Sequence, residues 1–484
     1  MTAPLASAPP SPTAPNDTMR ARIADTFAAQ RAHTARLRRS TAAERRDKIR
    51  RLRDAVQARR QDLRDALYAD FRKAAPEVDL TEAKSVIDEA DFALQHLDEW
   101  MALERVATPP LLLGTQSEIR YQPKGVALIL SPWNYPFNLT LGPLIAALAA
   151  GCAVTLKPSE FTPHSSAVMQ DLIASLYAPA DVALFRGDKT VAQALLDQPF
   201  DHIYFTGSPS VGKIVMRAAA EHLASVTLEL GGKSPVVVDA SADLDDAARK
   251  IVWGKYTNTG QTCIAPDYVY VHASVHDALV DRMRQCITDF YGDAPQDSPD
   301  YARLVSDKHF RHVSGLLDEA IQDGATVAAG GTCAADTRYV APTLLTDVPP
   351  DSRIMAEEIF GPLLPVLPFQ ALDDAIAAIN DRPNPLALYI FSEHERTTEA
   401  LLNRTVAGGS CVNDVLIHYM NPHLPFGGAG HSGIGRGHGV YAFREFSNAR
   451  SVVRRTAGSK VMQTLYPPYR GWMKRLTDWV VQWS

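Results

Sequence analysis

Short apolar runs alternate with helix-like segments from residue 125 to residue 228. Strands are predicted at 125–130, 153–156, 182–185, 202–205 and 226–228, and helices between them at 141–150, 165–177, 191–196 and 211–222. Because strands joined by crossover helices pair in parallel, this alternation predicts a doubly wound α/β sheet of the Rossmann type. Prolines and an asparagine interrupt the apolar stretch 126–156, so it does not predict a membrane span.

The chain length and composition limit the class of protein. With 484 residues the chain exceeds the size of a single core, so we expect two or three domains. The composition is that of a soluble globular protein, and a formal charge of -6 gives no general attraction to nucleic acid or anionic membranes. Five scattered cysteines without a secretory signal predict free thiols in a reducing, cytoplasmic compartment.

One cysteine lies among small and polar residues just before a strand-like run. Cys263 follows Gly260-Gln261-Thr262 and precedes Tyr268-Val269-Tyr270-Val271, so we expect it at a loop tip that enters a sheet. Such a position suits a nucleophile, although a buried and inert thiol is the common alternative. Two further residues favour the catalytic interpretation.

Glu229 and Asn134 each follow an apolar, strand-like run. Glu229 comes after Val226-Thr227-Leu228 and before two glycines. Apolar neighbours raise the pKa of a carboxyl group and suit it to work as a general base. Asn134 lies between two prolines, so its side-chain amide is held rigidly, as a donor in an oxyanion hole requires.

Cys263, Glu229 and Asn134 with their flanks resemble the aldehyde dehydrogenase superfamily from about residue 30 to about residue 455. The octapeptide 133–140 is most similar to the class 3 branch, which includes fatty, aromatic and bacterial coniferyl aldehyde dehydrogenases. The resemblance implies that the cysteine attacks the aldehyde, the glutamate activates water and the asparagine holds the oxyanion. It also implies an α/β fold with a Rossmann-type NAD-binding domain, an α/β catalytic domain and a small β oligomerisation arm.

The resemblance and the pattern together predict five parts. They are a disordered tail at 1–18, a dinucleotide-binding domain at 19–101 and 124–231, a catalytic domain at 232–425, an oligomerisation arm at 102–123 and 440–457, and an amphipathic extension at 458–484. A strand at 447–454 is expected to pair across the subunit interface of a homodimer.

A glycine-containing turn leads from a predicted strand into a predicted helix at Gly207, Ser208 and Gly212. Backbone N–H groups at such a helix start can face a pyrophosphate. The spacing also approximates a P-loop, but Ile214 stands where a P-loop needs a magnesium-binding Ser or Thr. We therefore reject an ATPase and expect a dinucleotide.

By the resemblance, Lys157 and Glu160 hold the adenosine ribose, Glu358 holds the nicotinamide ribose and Phe360 packs near the nicotinamide ring. Trp133 and Leu230 are expected to contact the cofactor as well. A carboxylate at Glu160 disfavours a 2'-phosphate and Lys157 favours one, so NAD is predicted and NADP stays open. The histidines of the glycine-rich region lack ligand spacing, and no metal site is predicted: His418, His423, His431 and His438.

Three aromatic residues near the motifs, Tyr135, Trp253 and Tyr256, suggest an apolar substrate funnel, although each could equally belong to a core. The predicted reaction oxidises a coniferyl aldehyde-like or fatty aldehyde to the acid, through a Cys263 thioester that Glu229-activated water hydrolyses. A cofactor-independent cysteine hydrolase or acyltransferase would need a histidine beside Cys263, and its loop contains none. A non-catalytic protein on the same scaffold would be expected to lack part of the triad.

Tryptophans recur at helical spacing near the C-terminus. The apolar stripe is Trp472, Leu476, Trp479 and Trp483, with Lys474, Arg475 and Asp478 outside it. A helix packed on its own or a partner subunit is the favoured interpretation, and peripheral association with a membrane surface is the alternative.

Overall fold

The computed structural model describes residues 17–109, 112, 114–456, 466–469 and 471–483. Residues 1–16 of the predicted tail and 458–465 of the predicted extension lie outside the described residues. The prediction of disorder is wrong for residues 17 and 18, which open the first helix.

The helices and strands alternate along the chain as follows. The strands are β1 Glu104–Val106, β2 Thr115–Pro123, β3 Val126–Leu130, β4 Ala153–Lys157, β5 Val182–Leu184, β6 His202–Gly207, β7 Ser225–Leu230, β8 Pro235–Val238, β9 Tyr268–His272, β10 Thr326–Ala329, β11 Cys333–Ala334, β12 Tyr339–Val340, β13 Thr343–Thr346, β14 Leu363–Phe369, β15 Ala387–Phe391, β16 Gly409–Val412, β17 Gly433–Ile434 and β18 Ser447–Arg455. The α-helices are α1 Asp17–Leu37, α2 Ala42–Ala58, α3 Arg60–Phe71, α4 Ala75–Val78, α5 Lys84–Met101, α6 Asn138–Ala150, α7 Pro163–Leu176, α8 Lys189–Leu196, α9 Pro209–Glu221, α10 Leu244–Tyr256, α11 His276–Tyr291, α12 Asp307–Gln322, α13 Arg353–Ala356, α14 Leu372–Asn380, α15 Glu395–Arg404, α16 Gly439–Glu445 and α17 Gly471–Trp483.

The first large sheet has the order β17-β7-β6-β3-β4-β5. Its five consecutive strands β7 to β5 are parallel, and β17 adds an antiparallel edge pair with β7. Parallel strands with helices on both faces are buried on both sides, which explains why every residue of β3 and β4 is buried and why β3 consists of apolar residues alone. The predicted doubly wound α/β sheet is confirmed.

The second large sheet has the order β10-β13-β14-β9-β8-β15-β16, with only β10 antiparallel to its neighbour. The chain leaves the first sheet after Leu230 and enters the second sheet at β8. It returns to the centre of the second sheet at β9, just after Cys263, where β9 pairs with β8. The carboxyl edge of the first sheet and the entry of β9 therefore lie close together.

A third sheet is small and has the order β1-β2-β18. Strand β18 pairs antiparallel with β2 over nine residue pairs, from Ser447 opposite Pro123 to Arg455 opposite Thr115. Most of β18 is exposed, and its outer edge has no strand partner among the described residues.

The last helix, α17, contacts the rest of the chain through Met473, which is 4% exposed. Trp472 and Trp479 on the predicted apolar stripe remain 47% and 60% exposed. Among the described residues, no helix combines the length and the apolar character that a membrane crossing requires.

The sequence Thr41-Ala42-Ala43-Glu44 is typical of a capping box, and the structure has one at the start of α2. The Glu44 backbone N–H donates to Thr41 Oγ1 at 3.3 Å, and Glu44 Oε2 accepts from the Thr41 backbone N–H at 2.7 Å. The helix then buries Ile49, Leu52 and Val56 in the core under the first sheet.

We expect Thr41→Ala to lower the free energy of unfolding by about 1 kcal/mol, because the Glu44 N–H loses its acceptor. Thermal unfolding followed by circular dichroism measures the change. The matched control Thr41→Ser retains the hydroxyl oxygen and should have the same thermal midpoint as the wild type. Equal midpoints for Thr41→Ala and wild type would contradict the capping role.

Candidate active site

A cleft of about 50 Å³ lies between the carboxyl edge of the first sheet and the second sheet. Both Cys263 and Glu229 line it. Most of the remaining wall is apolar and is formed by Leu139, Pro143, Leu230, Leu386, Phe426 and Ala442. The two residues predicted to do chemistry therefore face one apolar space.

Hydrogen bonds of Gln261 fix the loop that carries Cys263. Gln261 Nε2 donates to Asn258 O at 2.9 Å and to Arg303 O at 3.1 Å, and its Oε1 accepts from the Val305 N–H at 3.0 Å. A turn closed by the Ala265 N–H on the Thr262 carbonyl then presents the half-buried sulfur. The nucleophile loop is thus held from three sides by buried contacts.

Burial raises the pKa of the Cys263 thiol to about 12, and the carboxylates of Glu358 and Glu229 raise it in the same direction. The backbone N–H groups of Cys263 and Ile264 act against this shift. Around neutral pH the side chain is therefore a thiol, and its nucleophilic form requires removal of a proton by a nearby base.

Glu229 lies near the end of β7 and is 6% exposed. Its Oε1 accepts from the Tyr204 hydroxyl at 3.4 Å, whereas its Oε2 is buried and has no hydrogen-bond partner in the described part of the chain. Burial raises the pKa of Glu229 to about 8, against the lowering effects of Arg436 and the Tyr204 hydroxyl. A carboxylate with this pKa and one free oxygen is suited to accept a proton near neutral pH.

Asn134 is 2% exposed and joins the first unit to the nucleophile loop. Its Nδ2 donates to Gln261 O at 3.0 Å, two residues before Cys263, and its own carbonyl accepts from Asn258 Nδ2 at 2.9 Å. The structure therefore brings the predicted amide donor next to the loop of the predicted nucleophile.

The predicted pyrophosphate turn lies at the start of α9. Ser208 is the N-cap residue, but its side chain does not cap the helix and contacts Ser210 Oγ at 3.0 Å instead. A Cβ on Gly212 would come within 2.8 Å of Leu230 Cδ2, so the glycine allows α9 to lie close against β7. Gly207 ends β6 directly before this turn. The helix start is thus open to an anionic group.

At the end of β4, Lys157 Nζ donates to Glu160 Oε2 at 2.9 Å. Lys157 is buried and Glu160 is partly exposed, so the carboxylate is the more accessible partner of this ion pair. Strands β4 and β6 flank β3 in the sheet, which places both predicted cofactor contacts at one edge.

Trp133 and Phe360 pack edge to face, with ring centroids 5.3 Å apart. His309 lies against both rings, and its Nε2–H donates to the Phe360 carbonyl at 2.9 Å. Burial lowers the pKa of His309 to about 4, so it is neutral in the working range. The sequence analysis missed His309, because nothing in its local pattern separates it from other helix residues.

Glu358 faces the glycines after β7. A Cβ on Gly231 would lie 2.2 Å from Glu358 Oε2, and burial raises the pKa of Glu358 to about 8. Helix α13 ends two residues earlier at Ala356, and Glu357 is already extended. Behind it, the fully buried Lys255 has no hydrogen-bond partner in the described chain, and burial lowers its pKa to about 8. Lys255 is a second residue that the sequence analysis missed.

None of the three aromatic residues predicted to form the substrate funnel lies on the cleft wall. Tyr256 is 1% exposed in the core of the second sheet, where its hydroxyl donates to Thr343 O. Tyr135 is buried with its hydroxyl against Thr262 Oγ1, and Trp253 is half-exposed on α10. The apolar wall is real, but it comes from other residues.

The glycine-rich region from Leu424 to Gly439 folds over Glu229. Its histidines do not converge: His418 contacts Cys411 Sγ at 3.2 Å and His438 pairs with Glu89 at 3.5 Å. Among the described residues, no group of three or more His, Cys, Asp or Glu side chains could hold a metal ion.

Dinucleotides bind at the carboxyl edge of doubly wound sheets, and here that edge opens onto a thiol and a desolvated carboxylate. This arrangement is typical of a dinucleotide-dependent oxidoreductase that works through a cysteine. A model described as the aldehyde dehydrogenase family matches residues 13–452. The chain belongs to the aldehyde dehydrogenase family and is an NAD(P)-dependent aldehyde dehydrogenase.

Its relatives include class 3 enzymes, which confirms the predicted resemblance. The 4,4'-diaponeurosporen-aldehyde dehydrogenase of Staphylococcus aureus is 44% identical and covers 89% of this chain and 93% of its own. Aldehyde dehydrogenase family 3 member A2 of Pongo abelii is 43% identical over 86% of this chain and 85% of its own. A solved structure of the substrate-bound state of Staphylococcus aureus AldH superposes with a TM-score of 0.91 at 41% identity, covering 95% of this chain and 99% of the other.

We expect kcat for aldehyde oxidation to rise as the pH passes through about 8, because Glu229 accepts protons only when ionised and its pKa is raised to about 8. Glu229→Gln should lower kcat by about 10²–10⁴-fold and remove this inflection. Steady-state rates across the pH range measure both effects. The control Glu89→Gln changes another carboxylate on the cleft wall and should keep the inflection; its loss there would contradict the assignment to Glu229.

Proposed function

We propose that this enzyme oxidises an apolar or aromatic aldehyde to the carboxylic acid, with Cys263 as the nucleophile and Glu229 as the general base. The single observation that carries the proposal is that both residues face one cleft with an apolar wall. An aldehyde seated there meets a thiol, a base and little competing polarity.

In the proposed first half, the Cys263 sulfur forms a bond to the aldehyde carbon while Glu229 takes the thiol proton. The Asn134 amide and the Cys263 backbone N–H stabilise the oxyanion that develops on the aldehyde oxygen. When bound, the oxidised dinucleotide would accept the hydrogen of the substrate carbon together with the two electrons of its C–H bond. The acyl group then remains on Cys263 as a thioester.

In the second half, Glu229 first releases the thiol proton to solvent and then takes a proton from water, and the resulting hydroxide attacks the thioester carbon. The carbon–sulfur bond breaks, the acid leaves, and Cys263 regains a proton from Glu229. The unpartnered Oε2 of Glu229 supports this step, because it is free to bind water. An acyl transfer to coenzyme A or phosphate would not need such a base, so we propose a hydrolytic enzyme.

The described residues fit a dinucleotide. The uncapped start of α9 and the close approach at Gly212 suit a pyrophosphate. Lys157 with Glu160 would hold the adenosine ribose, Glu358 the nicotinamide ribose, and Trp133, Leu230 and Phe360 would contact the cofactor. NAD is the proposed cofactor and NADP is not excluded, because the Lys157–Glu160 pair presents a carboxylate beside a lysine.

The cleft wall supports a coniferyl aldehyde-like or a fatty aldehyde as substrate. Tyr419 packs on Phe426 and His438, which line the cleft, and Ile417 and Met420 beside it are 45% and 62% exposed. Apolar surface thus continues from the cleft to the outside. A relative is named for 4,4'-diaponeurosporen-aldehyde, which accords with an apolar substrate class.

The cofactor-independent hydrolase receives no support, because no hydrogen bond joins a histidine to Cys263 among the described residues. The free outer edge of β18 supports the proposal of a homodimer. A cytoplasmic location remains a proposal that the five free cysteines support. The exposed Trp472 and Trp479 leave both a packed C-terminal helix and peripheral membrane contact as proposals for α17.

We expect the wild type to reduce NAD in the presence of coniferyl-type, benzaldehyde-type and medium-to-long aliphatic aldehydes, followed by absorbance of the reduced nicotinamide. Cys263→Ala should abolish this activity because it removes the nucleophile. The control Cys333→Ala replaces an exposed cysteine outside the cleft and should keep full activity. A strong preference for small, charged semialdehydes would overturn the apolar-substrate proposal.

We expect Glu160→Gln to raise kcat/KM for NADP relative to NAD by about tenfold, equivalent to about 1.4 kcal/mol, because it removes a carboxylate that repels a 2'-phosphate. Steady-state kinetics with both cofactors give the ratio. Glu221→Gln, at the other end of α9, is the matched control and should leave the ratio unchanged. An unchanged ratio of kcat/KM for NADP to kcat/KM for NAD in Glu160→Gln would show that Glu160 does not discriminate against the 2'-phosphate.

A further inference from the structure

A buried ion pair lies behind the loop that carries Asn134. Lys73 follows α3, and Glu82 lies in a π-helical turn, Asp79–Ala83. Both side chains are fully buried, and Lys73 Nζ lies 3.4 Å from Glu82 Oε1. Burying two charges is expensive unless further contacts compensate. Nothing in the reaction described above uses this pair.

The second oxygen of Glu82 caps α6, the helix that starts directly after the Asn134 loop. Glu82 Oε2 accepts from the Phe137 N–H at 3.0 Å and from the Asn138 N–H at 2.9 Å. Hydrogen bonds from backbone N–H groups to a carboxylate at a helix start are strong and directional. One carboxylate therefore fixes Lys73 on one side and the end of the Asn134 loop on the other.

Lys73 also contacts the residue next to Asn134. Its Nζ lies 3.9 Å from the centroid of the Tyr135 ring, within the range of a cation–π interaction. The Tyr135 hydroxyl in turn lies 2.6 Å from Thr262 Oγ1. Thr262 immediately precedes Cys263, so two contacts lead from the lysine to the nucleophile.

Glu77 extends the cluster to the other side of the nucleophile loop. Its carboxylate lies 3.9 Å from Lys73 Nζ, and burial raises its pKa against the lowering effects of Lys73 and the Asn258 backbone. The side chain of Asn258 donates to Asn134 O and to Gln261 O. Lys73 thus lies where contacts to the Asn134 loop and to the Cys263 loop meet.

We propose that Lys73 is a positioning residue: held by Glu82, it sets the placement of the Asn134 amide relative to the Cys263 sulfur through Tyr135 and Thr262. The proposal rests on the proposed function. A displacement of about 1 Å between reacting groups can lower a rate by about 10²-fold. Loss of the lysine should therefore affect kcat, whereas cofactor binding at the sheet edge should stay intact.

The test compares Lys73→Met with the double variant Lys73→Met/Glu82→Gln, which removes the charge that Lys73→Met leaves unpaired. Lys48→Met is the matched control, because it also removes the lysine of an ion pair. This pair joins Lys48 Nζ to Asp181 Oδ1 at 2.6 Å and lies away from the cleft. Four quantities are measured: the thermal midpoint, the dissociation constant of NAD by tryptophan fluorescence, kcat with KM, and the rate at which iodoacetamide alkylates Cys263.

We expect the double variant to regain much of the thermal stability lost in Lys73→Met, to bind NAD as the wild type does, and to keep a kcat lowered by about 10²-fold. Alkylation of Cys263 should be several-fold faster, because the loop is no longer held through Thr262. Tyr135→Phe, which removes only the hydroxyl, should show the same acceleration to a smaller extent. Lys48→Met should match the wild type in kcat and alkylation.

A double variant that regains both stability and kcat would overturn the proposal, since Lys73 would then serve folding alone. Unchanged alkylation in the double variant and in Tyr135→Phe would also overturn it. Failure of the proposed function is distinguishable, because a wild type that oxidises no aldehyde would still give an alkylation rate for comparison with the variants.

Discussion

The hydrogen bond from Asn134 Nδ2 to Gln261 O is the contact on which the reacting centre depends. It joins a loop at the edge of the first sheet to a loop that enters the second, 127 positions later in the chain. Each sheet supplies only part of the site, since Glu229 belongs to one and Cys263 leads into the other. Asn258 and Gln261 reinforce the joint from within the second loop. The geometry of thiol, carboxylate and amide is therefore a property of the interface between two sheets.

Burial dominates the electrostatics of this interface. It raises the pKa of Cys263 to about 12 and those of Glu229 and Glu358 to about 8. The carboxylates of Glu358 and Glu229 also oppose ionisation of the Cys263 thiol, because each anion disfavours a further negative charge nearby. Fully charged, the cluster would be unstable, so the free enzyme holds the protons that the proposed reaction must move. The same desolvation that suppresses the thiolate makes Glu229 a base of suitable strength.

The sequence predicted the parallel sheet, the capping box and two residues of the cleft, Cys263 and Glu229, because each is written in local periodicity or in a motif. It could not predict which face of α10 is buried at its end: Trp253 and Tyr256 lie three positions apart, and only the second enters the core. His309 and Lys73 were also missed. Their partners, Phe360 at 51 positions and Tyr135 at 62 (135 minus 73), are distant in sequence and ordinary in type. Contacts of that kind appear only when distant segments of each unit fold together.

Some of the backbone strain lies around the same interface. Ten described residues other than glycine have a positive φ, and four of them, Asn258, Thr259, Phe360 and His438, lie near the cleft with φ between 49° and 66°. Such conformations persist only where surrounding contacts enforce them. Here the Asn258 side chain bonds Asn134 O, His309 holds the Phe360 carbonyl, and Glu89 pairs with His438. These side chains lie around the cleft, so the strained residues and the contacts that hold them belong to the same part of the structure. A substrate that enters the cleft meets groups that are already in place. The site is prepared for chemistry when the chain folds and the two sheets come together.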